Sequence, residues 1–366
     1  MALPIPSTPS RRSLLLGAAA VAPLVALGGA SASANPGLRD AGGLHIIGQW
    51  HHPDIRTTDV RVETPRIRTF PPSIRITVPP SYASNPGRRY PVLLLLHGGF
   101  GFYQDWTNHG GVIEQTERHE VIVVMPDGGG GSFYSNANFP LPGREAAWET
   151  FIMNQVLPFV HENFRTDPQR MAIAGLSMGG WGALALGQRY WGHFRSISAY
   201  SGPADCLVED QPVQQKIAAG AVQAIIWGGP AADALKYFTT ANLPGATWGN
   251  EVNPKVAYGY NPVHNLDRYR GKRLFLRCGT GTMPEINLLK TSLPEAFGQV
   301  VEQAKRIGAD IQELAVRQTN ERFVAALRAK GIDHDYKVLE HKTHDWNVWA
   351  PALAEDLPGM MAVLNH

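Results

Sequence analysis

The sequence predicts an α/β fold in which helices cover both faces of a mostly parallel central sheet. Two continuous apolar runs, "YPVLLLL" and "VIVVM", are typical of strands buried on both faces. Such runs alternate with amphipathic helical segments, and this alternation favours parallel strands joined by helices. The chain has 366 residues, of which 44% are hydrophobic and 17% are charged, as in an ordinary globular protein.

The elements are predicted in chain order from these patterns. Residues 35–70 read as polar and irregular, with a weak strand signal in "TTDVRVE" and with His51-His52 as a surface pair in a loop. We expect residues 204–270 to form an insertion of loops and short helices over the active site, and 295–330 to be largely helical. The clearer strands and helices are predicted in "SIRITVPPSY", "YPVLLLLHGG", "HEVIVVMPDGG", "EAAWETFIMNQVLPFVHENF" (bent at Pro158), "RMAIAGL", "GGWGALALGQRYW", "HFRSISAYSGP", "GKRLFLRCGTGT", "DHDYKVLE" and "DWNVWAPALAEDL".

The N-terminus has the pattern of an export signal. Arg11 and Arg12 precede an apolar run that ends in small residues at Ala32-Ser33-Ala34. Paired arginines are typical of the twin-arginine (Tat) route of bacteria. We therefore predict a Tat-type signal over 1–34 and a single domain over 35–366, secreted or held in the cell envelope of a bacterium, with no stable membrane insertion after signal removal.

Charge and cysteine content exclude some functions. The net charge of +2 and the lack of a basic stripe argue against a nucleic-acid partner. The only cysteines are Cys206 and Cys278, which the export route allows to form a disulfide. No Cys/His cluster has the spacing of a zinc site, so we expect neither a metal nor another cofactor.

The stretch "AIAGLSMGGWGALAL" places Ser177 between a strand and a helix. Gly175, Ser177 and Gly179 match G-x-S-x-G, the nucleophile elbow of α/β-hydrolases. The tight turn requires glycine beside the serine, and the helix N-terminus favours negative charge there. The prediction is therefore an α/β-hydrolase fold with a nucleophilic serine.

An oxyanion site is predicted beside this serine. "LLLLHGGFG" ends a central strand in His97-Gly98-Gly99 and resembles an HGG-type loop. The backbone N–H groups of Gly99 and Met178 would then face the oxyanion.

The base and the acid should follow the serine in the chain. His344 in "EHKTHDW" lies between the last strand and the last helix, and His341 is its competitor. Spacing alone favours Glu285, just after "RLFLRC", with Glu321 in "QTNERFVAAL" as its rival, and the pattern does not decide between them. Most other acids of the long helical region, such as Glu302 and Glu313, read as a solvated face.

Aromatic residues near these motifs are candidates for an acyl-binding or aryl-binding pocket. Core packing is an equal expectation for Trp181 and Trp346. The candidates are Phe100, Phe102, Tyr103, Trp106, Trp181 and Trp346, of which Phe100, Phe102, Trp106 and Trp346 are the predicted substrate-binding set.

The chain resembles the esterase family that includes the antigen 85 mycolyltransferases and S-formylglutathione hydrolase-type esterases. The shared points are "GLSMGG", "LFLRCGTGT" and "THDW", within a region that runs from "SIRITVPPSY" to the last helix. In antigen 85 the triad acid begins a Glu-Asn-Phe-Val helix start. "ERFV" matches it, so the resemblance moves the expected acid from Glu285 to Glu321. It also supports the amides of Gly99 and Met178 as the oxyanion site.

The departures from antigen 85 concern its substrate. "FGFYQDW" keeps Asp105 and Trp106 but lacks the family's arginine, and Asp345 replaces a serine. The resemblance thus implies ester chemistry by Ser177, Glu321 and His344, without implying mycolyl transfer to trehalose. We expect a secreted esterase or acyltransferase whose partner is a small-molecule, lipid or sugar ester. The export route also allows an association with the cell wall. The alternatives are a carbohydrate (acetyl or feruloyl) esterase and a non-catalytic binding protein on a hydrolase scaffold.

Overall fold

One nine-stranded sheet organises the chain between Arg39 and His366. The computed structural model describes residues 37–137, 145–205, 255–282 and 310–366. The predicted signal over 1–34, residues 206–254 of the predicted insertion, Glu285 and Cys206 lie outside the described residues. Among the described residues Cys278 is a buried free thiol, and its predicted pairing with Cys206 lies outside them.

The strand order is β1-β2-β3-β5-β4-β6-β7-β8-β9. The six strands from β5 to β9 in this order are parallel, whereas β1, β2 and β3 extend the sheet antiparallel from β5. The predicted mostly parallel sheet is therefore confirmed. The strands are β1 (His45–His52), β2 (Thr57–Glu63), β3 (Ser73–Thr77), β4 (Tyr90–Leu96), β5 (Ile122–Pro126), β6 (Thr166–Leu176), β7 (Ser196–Tyr200), β8 (Arg273–Gly279) and β9 (Asp335–Leu339).

Helices lie on both faces of this sheet. Within the described ranges, no helix is long and apolar enough to cross a bilayer. The described residues contain 3-10 segments at Pro53–Ile55, Pro80–Tyr82 and Pro262–Tyr269. Their α-helices are α1 (Asp105–Asn108), α2 (Val112–Gln115), α3 (Trp148–Thr150), α4 (Leu157–Asn163), α5 (Met178–Arg189), α6 (Lys255–Tyr260), α7 (Ile311–Ala329) and α8 (Trp346–Leu364).

Strand β4 shows why both faces need cover, because all seven of its residues are buried. Leu93 and Leu95 belong to the core cluster that includes Leu353 and Leu357 of α8. On the opposite face, Leu96 approaches Gly182 of α5. The continuous apolar run therefore reflects a strand between two helical layers.

The prediction of a loop at His51-His52 is wrong. His51 and His52 lie in strand β1, where His51 Nδ1 is 3.1 Å from Thr58 Oγ1 and His52 Nε2 is 3.2 Å from Asp59 Oδ2. This strand is at the edge of the sheet, so it lacks the buried apolar run that marks a central strand. The helix predicted to bend at Pro158 contains a π-helical segment, Phe151–Val156, between α3 and α4.

Candidate active site

Ser177 occupies a sharp turn between β6 and α5. Its backbone has φ 51° and ψ −118°, a conformation that L-residues rarely adopt. The Ser177 N–H donates to the Tyr200 carbonyl oxygen of the neighbouring strand β7 (2.8 Å), which holds the turn against the sheet. The serine thus has the strained geometry expected of a nucleophile elbow.

The glycines around Ser177 are required by the close approach of two backbones. A Cβ on Gly175 would lie 2.3 Å from the Gly179 carbonyl oxygen. A Cβ on Gly179 would lie 2.5 Å from the carbonyl oxygens of both Leu96 and His97. The start of α5 therefore sits directly against the carboxyl end of β4.

His344 lies in the loop between β9 and α8, at the same edge of the sheet as Ser177. Its Nε2 is 2.7 Å from Ser177 Oγ. The competing histidine, His341, is exposed and uses its backbone N–H to donate to Thr280 Oγ1. The structure therefore brings His344, and not His341, to the serine.

The carboxylate beside His344 belongs to Glu313. Glu313 Oε2 is 2.6 Å from His344 Nδ1, and the Glu313 side chain is completely buried. The interpretation of Glu313 as part of a solvated face is wrong. It lies in the first turn of α7, whose N-terminus points toward the histidine loop.

The assignment of the acid to Glu321 is also wrong. Glu321 lies eight residues further along α7, about 12 Å along the helix axis, and its half-exposed side chain pairs with Arg317 (2.7 Å). The match of "ERFV" to a Glu-Asn-Phe-Val helix start suggested Glu321, but this stretch lies in the interior of α7, whereas Glu313 lies in its first turn.

A set of hydrogen bonds fixes the Glu313 carboxylate. Its Oε1 accepts from Ser201 Oγ (2.8 Å) and from the Gly279 N–H, at the ends of β7 and β8. Its Oε2 is left for His344. A buried carboxylate with several donors remains a fixed acceptor for the imidazole.

The groups around His344 shift the pKa of its imidazole. Burial lowers the pKa of the imidazole, but the hydrogen bond that the imidazole donates to Glu313 and the charges of Glu313, Asp310 and Asp345 outweigh burial and raise this pKa above its ordinary value. The Trp349 ring packs edge-on against the imidazole at 5.2 Å. The raised pKa makes the neutral imidazole of His344 a stronger base toward the Ser177 proton.

The HGG loop runs close to the serine. A Cβ on Gly98 would lie 3.6 Å from the Cβ of Ser177, and one on Gly99 would lie 4.0 Å from the Cβ of Met178. Met178 is the first residue of α5, where N–H groups have no partner within the helix. The two amides predicted for an oxyanion site therefore come from backbone segments that meet beside Ser177.

His97 holds this loop in place, a role that the sequence did not reveal. Its Nε2 accepts from the Gly128 N–H (2.9 Å), so its Nδ1 carries the proton and donates to the Gly98 carbonyl oxygen (2.7 Å). Burial lowers the pKa of His97, which favours this neutral form. Tyr134 Oη donates to the His97 carbonyl oxygen (2.8 Å) and fixes the other side of the loop.

The four aromatics predicted to bind substrate divide into two groups. Phe100 and Phe102, which follow Gly99, are 55% and 52% exposed. Trp106 is buried in the core and its Nε1 donates to the Leu96 carbonyl oxygen, so its assignment to a substrate pocket is wrong. Trp346 is half-buried and packs edge-on against Trp106 and Trp349.

The geometry provides a nucleophile, a base and an acid in one hydrogen-bonded chain, with two backbone amides beside the nucleophile. This is the arrangement used for acyl transfer through a serine. Within the described part of the chain, no group of three or more His, Cys, Asp and Glu side chains is placed to hold a metal ion.

The known proteins that this chain resembles are esterases and acyltransferases. Residues 70–360 match the model of the family described as "Putative esterase". The chain is 34% identical over 283 residues to Esterase MT1326 of Mycobacterium tuberculosis, covering 73% of this chain and 58% of that protein. It is 25% identical over 291 residues to the diacylglycerol acyltransferase/mycolyltransferase Ag85A of Mycobacterium leprae, covering 77% of this chain and 78% of the relative.

Solved structures share the fold. The S-formylglutathione hydrolase from Agrobacterium tumefaciens superposes with a TM-score of 0.60 at 15% identity, over 87% of this chain and 99% of that one. The resemblance inferred from the sequence motifs is therefore confirmed. The chain belongs to this family of esterases and acyltransferases.

Proposed function

We propose that this chain is a serine esterase or acyltransferase in which Ser177, His344 and Glu313 act on a carboxylic ester through an acyl-enzyme. The observation that carries the proposal is the continuous chain from Ser177 Oγ through both nitrogens of His344 to the Glu313 carboxylate, with contacts of 2.7 and 2.6 Å. Because Glu313 accepts from Nδ1, the neutral imidazole keeps Nε2 free to take a proton.

In the first half-reaction, His344 Nε2 takes the proton of Ser177 Oγ as that oxygen attacks the ester carbonyl carbon. The carbonyl oxygen becomes an oxyanion held by the N–H groups of Gly99 and Met178, at the positive end of the α5 dipole. Glu313 stabilises the imidazolium that forms without taking its proton.

The intermediate then collapses, and His344 gives its proton to the leaving alcohol. Ser177 is left as an ester of the acyl group. In the second half-reaction, water or an acceptor alcohol loses its proton to His344 and attacks the acyl carbon of this ester. The bond from the acyl carbon to Ser177 Oγ then breaks, the product acid or ester leaves, and His344 returns the proton to Ser177 Oγ. If water attacks the acyl-enzyme the protein is a hydrolase, and if a sugar or glycerol hydroxyl attacks it the protein is a transferase.

The exposed rings of Phe100 and Phe102 support an apolar or aromatic acyl group. Both rings are exposed rather than packed in the core, so they are available to an acyl group bound beside Gly99. The same rings also fit the second candidate, a carbohydrate esterase that removes aromatic feruloyl groups. Activity on short aryl esters but not on long acyl chains would favour the second candidate.

Export by the twin-arginine route is part of the proposal. It rests on Arg11-Arg12, on the apolar run and on the small residues before position 35. Expression of the full chain in a Tat-competent bacterium, with Arg11→Lys/Arg12→Lys as the control, tests it by mass of the exported product. The proposal expects a product that begins near Asn35 from the natural sequence, and none from the double variant.

Intact mass after reaction with a fluorophosphonate tests the catalytic assignment. We expect one adduct on the wild type and none on Ser177→Ala. A folded wild type that does not react would contradict the enzyme proposal and favour a binding protein on this scaffold. Hydrolysis of acetyl, long-chain acyl and feruloyl esters, with and without added acceptor alcohol, then separates the substrate classes.

A further inference from the structure

We propose that Asp310 is a positioning residue whose single carboxylate holds the helix of Glu313 and the loop of His344 in register. The inference deepens the proposed function and rests on it, because it explains how an acid and a base far apart in the chain meet. Asp310 is 4% exposed and lies between the two groups.

One oxygen of Asp310 caps helix α7. Asp310 Oδ1 accepts from the Gln312 N–H (3.0 Å) and from the Glu313 N–H (3.1 Å). Such a cap satisfies backbone donors that have no partner within the helix. It therefore fixes the backbone of the residue that carries the proposed acid.

The other carboxylate oxygen contacts the loop of His344 instead of the helix. Asp310 Oδ2 accepts from the backbone N–H of His344 at 2.7 Å. The Glu313 N–H and the His344 N–H are thus tied to two oxygens of the same rigid carboxylate. A helix cap alone does not require this second contact.

The backbone of Asp310 adds a third anchor. Its N–H donates to the Gly281 carbonyl oxygen (2.7 Å), and the Gly281 N–H donates to the Lys342 carbonyl oxygen (3.0 Å). Asp310 is therefore joined both to the loop after β8 and, through it, to the loop that carries His344. Rotation of α7 relative to the His344 loop would break the Oδ2 contact to the His344 N–H and the Asp310 N–H contact to Gly281.

Two substitutions separate the roles of the oxygens. In Asp310→Ser the hydroxyl keeps the cap but is too short to hold the His344 N–H as well. In Asp310→Asn the amide keeps one acceptor and presents a donor to the other N–H. Both variants should fold, because Ser and Asn are good N-cap residues.

A third variant controls for stability. Leu327→Ala removes a fully buried side chain of α7 about 21 Å along the helix from Glu313. It should lower the melting temperature without changing either contact of Asp310. Activity is compared at a temperature at which all the variants are folded.

We expect Asp310→Ser and Asp310→Asn to lower kcat on an activated ester by about 100-fold, with KM nearly unchanged, because the acid and the base lose their alignment. Leu327→Ala should retain nearly wild-type kcat. If Asp310→Ser matches Leu327→Ala in both melting temperature and kcat, Asp310 is only a cap and the inference is overturned.

NMR titration of the His344 ring gives a readout that does not depend on activity. The charged groups that face this ring are Glu313, Asp310 and Asp345. Since the Asp310 charge favours the imidazolium, removing it should lower the pKa of His344 and shift the acid limb of kcat/KM to lower pH. An unchanged pKa in both variants would overturn the inference.

The two proposals fail in distinguishable ways. If the wild type neither hydrolyses esters nor reacts with a fluorophosphonate, the proposed function fails. The NMR signal of the His344 Nδ1 proton then still decides the positioning role, because it should be present in the wild type and weakened in Asp310→Ser. If the wild type reacts and the Asp310 variants react equally fast, only the positioning role fails.

Discussion

The elbow at Ser177 and the first turn of α7 at Glu313 supply two parts of the same site, but they are built differently. The elbow is local: two glycines, one strained serine and a helix start lie within five residues, and a Cβ on either glycine would strike backbone. Glu313 depends on distant partners, namely Ser201, Gly279 and His344. A local turn leaves a motif in the sequence, whereas an assembled carboxylate leaves almost none.

Loss of the base should have the largest effect. His344→Ala removes the group that takes the Ser177 proton, and kcat should fall by about a million-fold, as when the corresponding group of a serine protease is removed. His341→Ala is the matched control and should retain nearly full kcat, since this exposed histidine lies in the same loop without contacting Ser177. Steady-state hydrolysis of an activated ester measures both. Equal losses in the two variants would contradict the assignment.

Filling the elbow should cost stability. In Gly179→Ala the new Cβ would lie 2.5 Å from two carbonyl oxygens of the HGG strand end, so backbone must shift. We expect a loss of about 3 kcal/mol or more in the free energy of unfolding, measured by denaturant titration. Gly192→Ala, with nothing within 4 Å of its Cβ, is the control and should change stability little. A wild-type stability for Gly179→Ala would show that the elbow is not tightly packed.

Weakening the support of Glu313 should have a moderate effect. Ser201→Ala removes one charge-assisted hydrogen bond to the carboxylate, and kcat/KM should fall by about 10-fold. Ser196→Ala makes the same change at the other end of β7, where the hydroxyl contacts Arg273, and should leave kcat/KM unchanged. Equal losses of kcat/KM in both variants would contradict a specific role of the Ser201 hydroxyl in holding Glu313.

The pH profile should show the raised pKa of His344. The base must be neutral to accept a proton, so kcat/KM should fall on the acid side with an apparent pKa above the ordinary value of about 6.5. Since Glu313 favours the imidazolium, Glu313→Gln should shift this limb to lower pH in the residual activity. If the acid limb of kcat/KM does not shift in Glu313→Gln, Glu313 does not raise the pKa of His344.

The exposed ion pair on α7 should matter least. Arg317→Gln breaks a surface pair at i, i+4 spacing, and the free energy of unfolding should fall by only about 0.3–0.5 kcal/mol. The value of kcat should not change. A large loss of activity would give this ion pair a role that its contacts do not suggest.

The sequence predicted those features that depend on short-range sterics or on the order of residues along the chain. Ser177 and the central strands follow from glycine spacing and continuous apolar runs, and His344 follows from its place after the last strand. Asp310 and Glu313 form an Asp-x-x-Glu helix-start signal, so the start of α7 was readable. The sequence did not show that Glu313 faces inward, because the groups that donate hydrogen bonds to it come from the ends of two distant strands.

The other errors have related causes. Strand β1 was missed because an edge strand needs no apolar run. Trp106 was assigned to the pocket because it follows the HGG loop, yet a short helix turns its ring back into the core, where it meets Tyr200 and Trp346. Chain proximity to a site does not show on which side of the backbone a side chain lies.

The most direct test of the account compares Glu313→Gln with Glu321→Gln, two isosteric changes on one helix. Rates of fluorophosphonate labelling at Ser177 and kcat on an activated ester should be measured on both folded proteins. We expect a loss of about 10,000-fold in kcat for Glu313→Gln and nearly wild-type rates for Glu321→Gln. Wild-type rates for Glu313→Gln, or a large loss for Glu321→Gln alone, would contradict it.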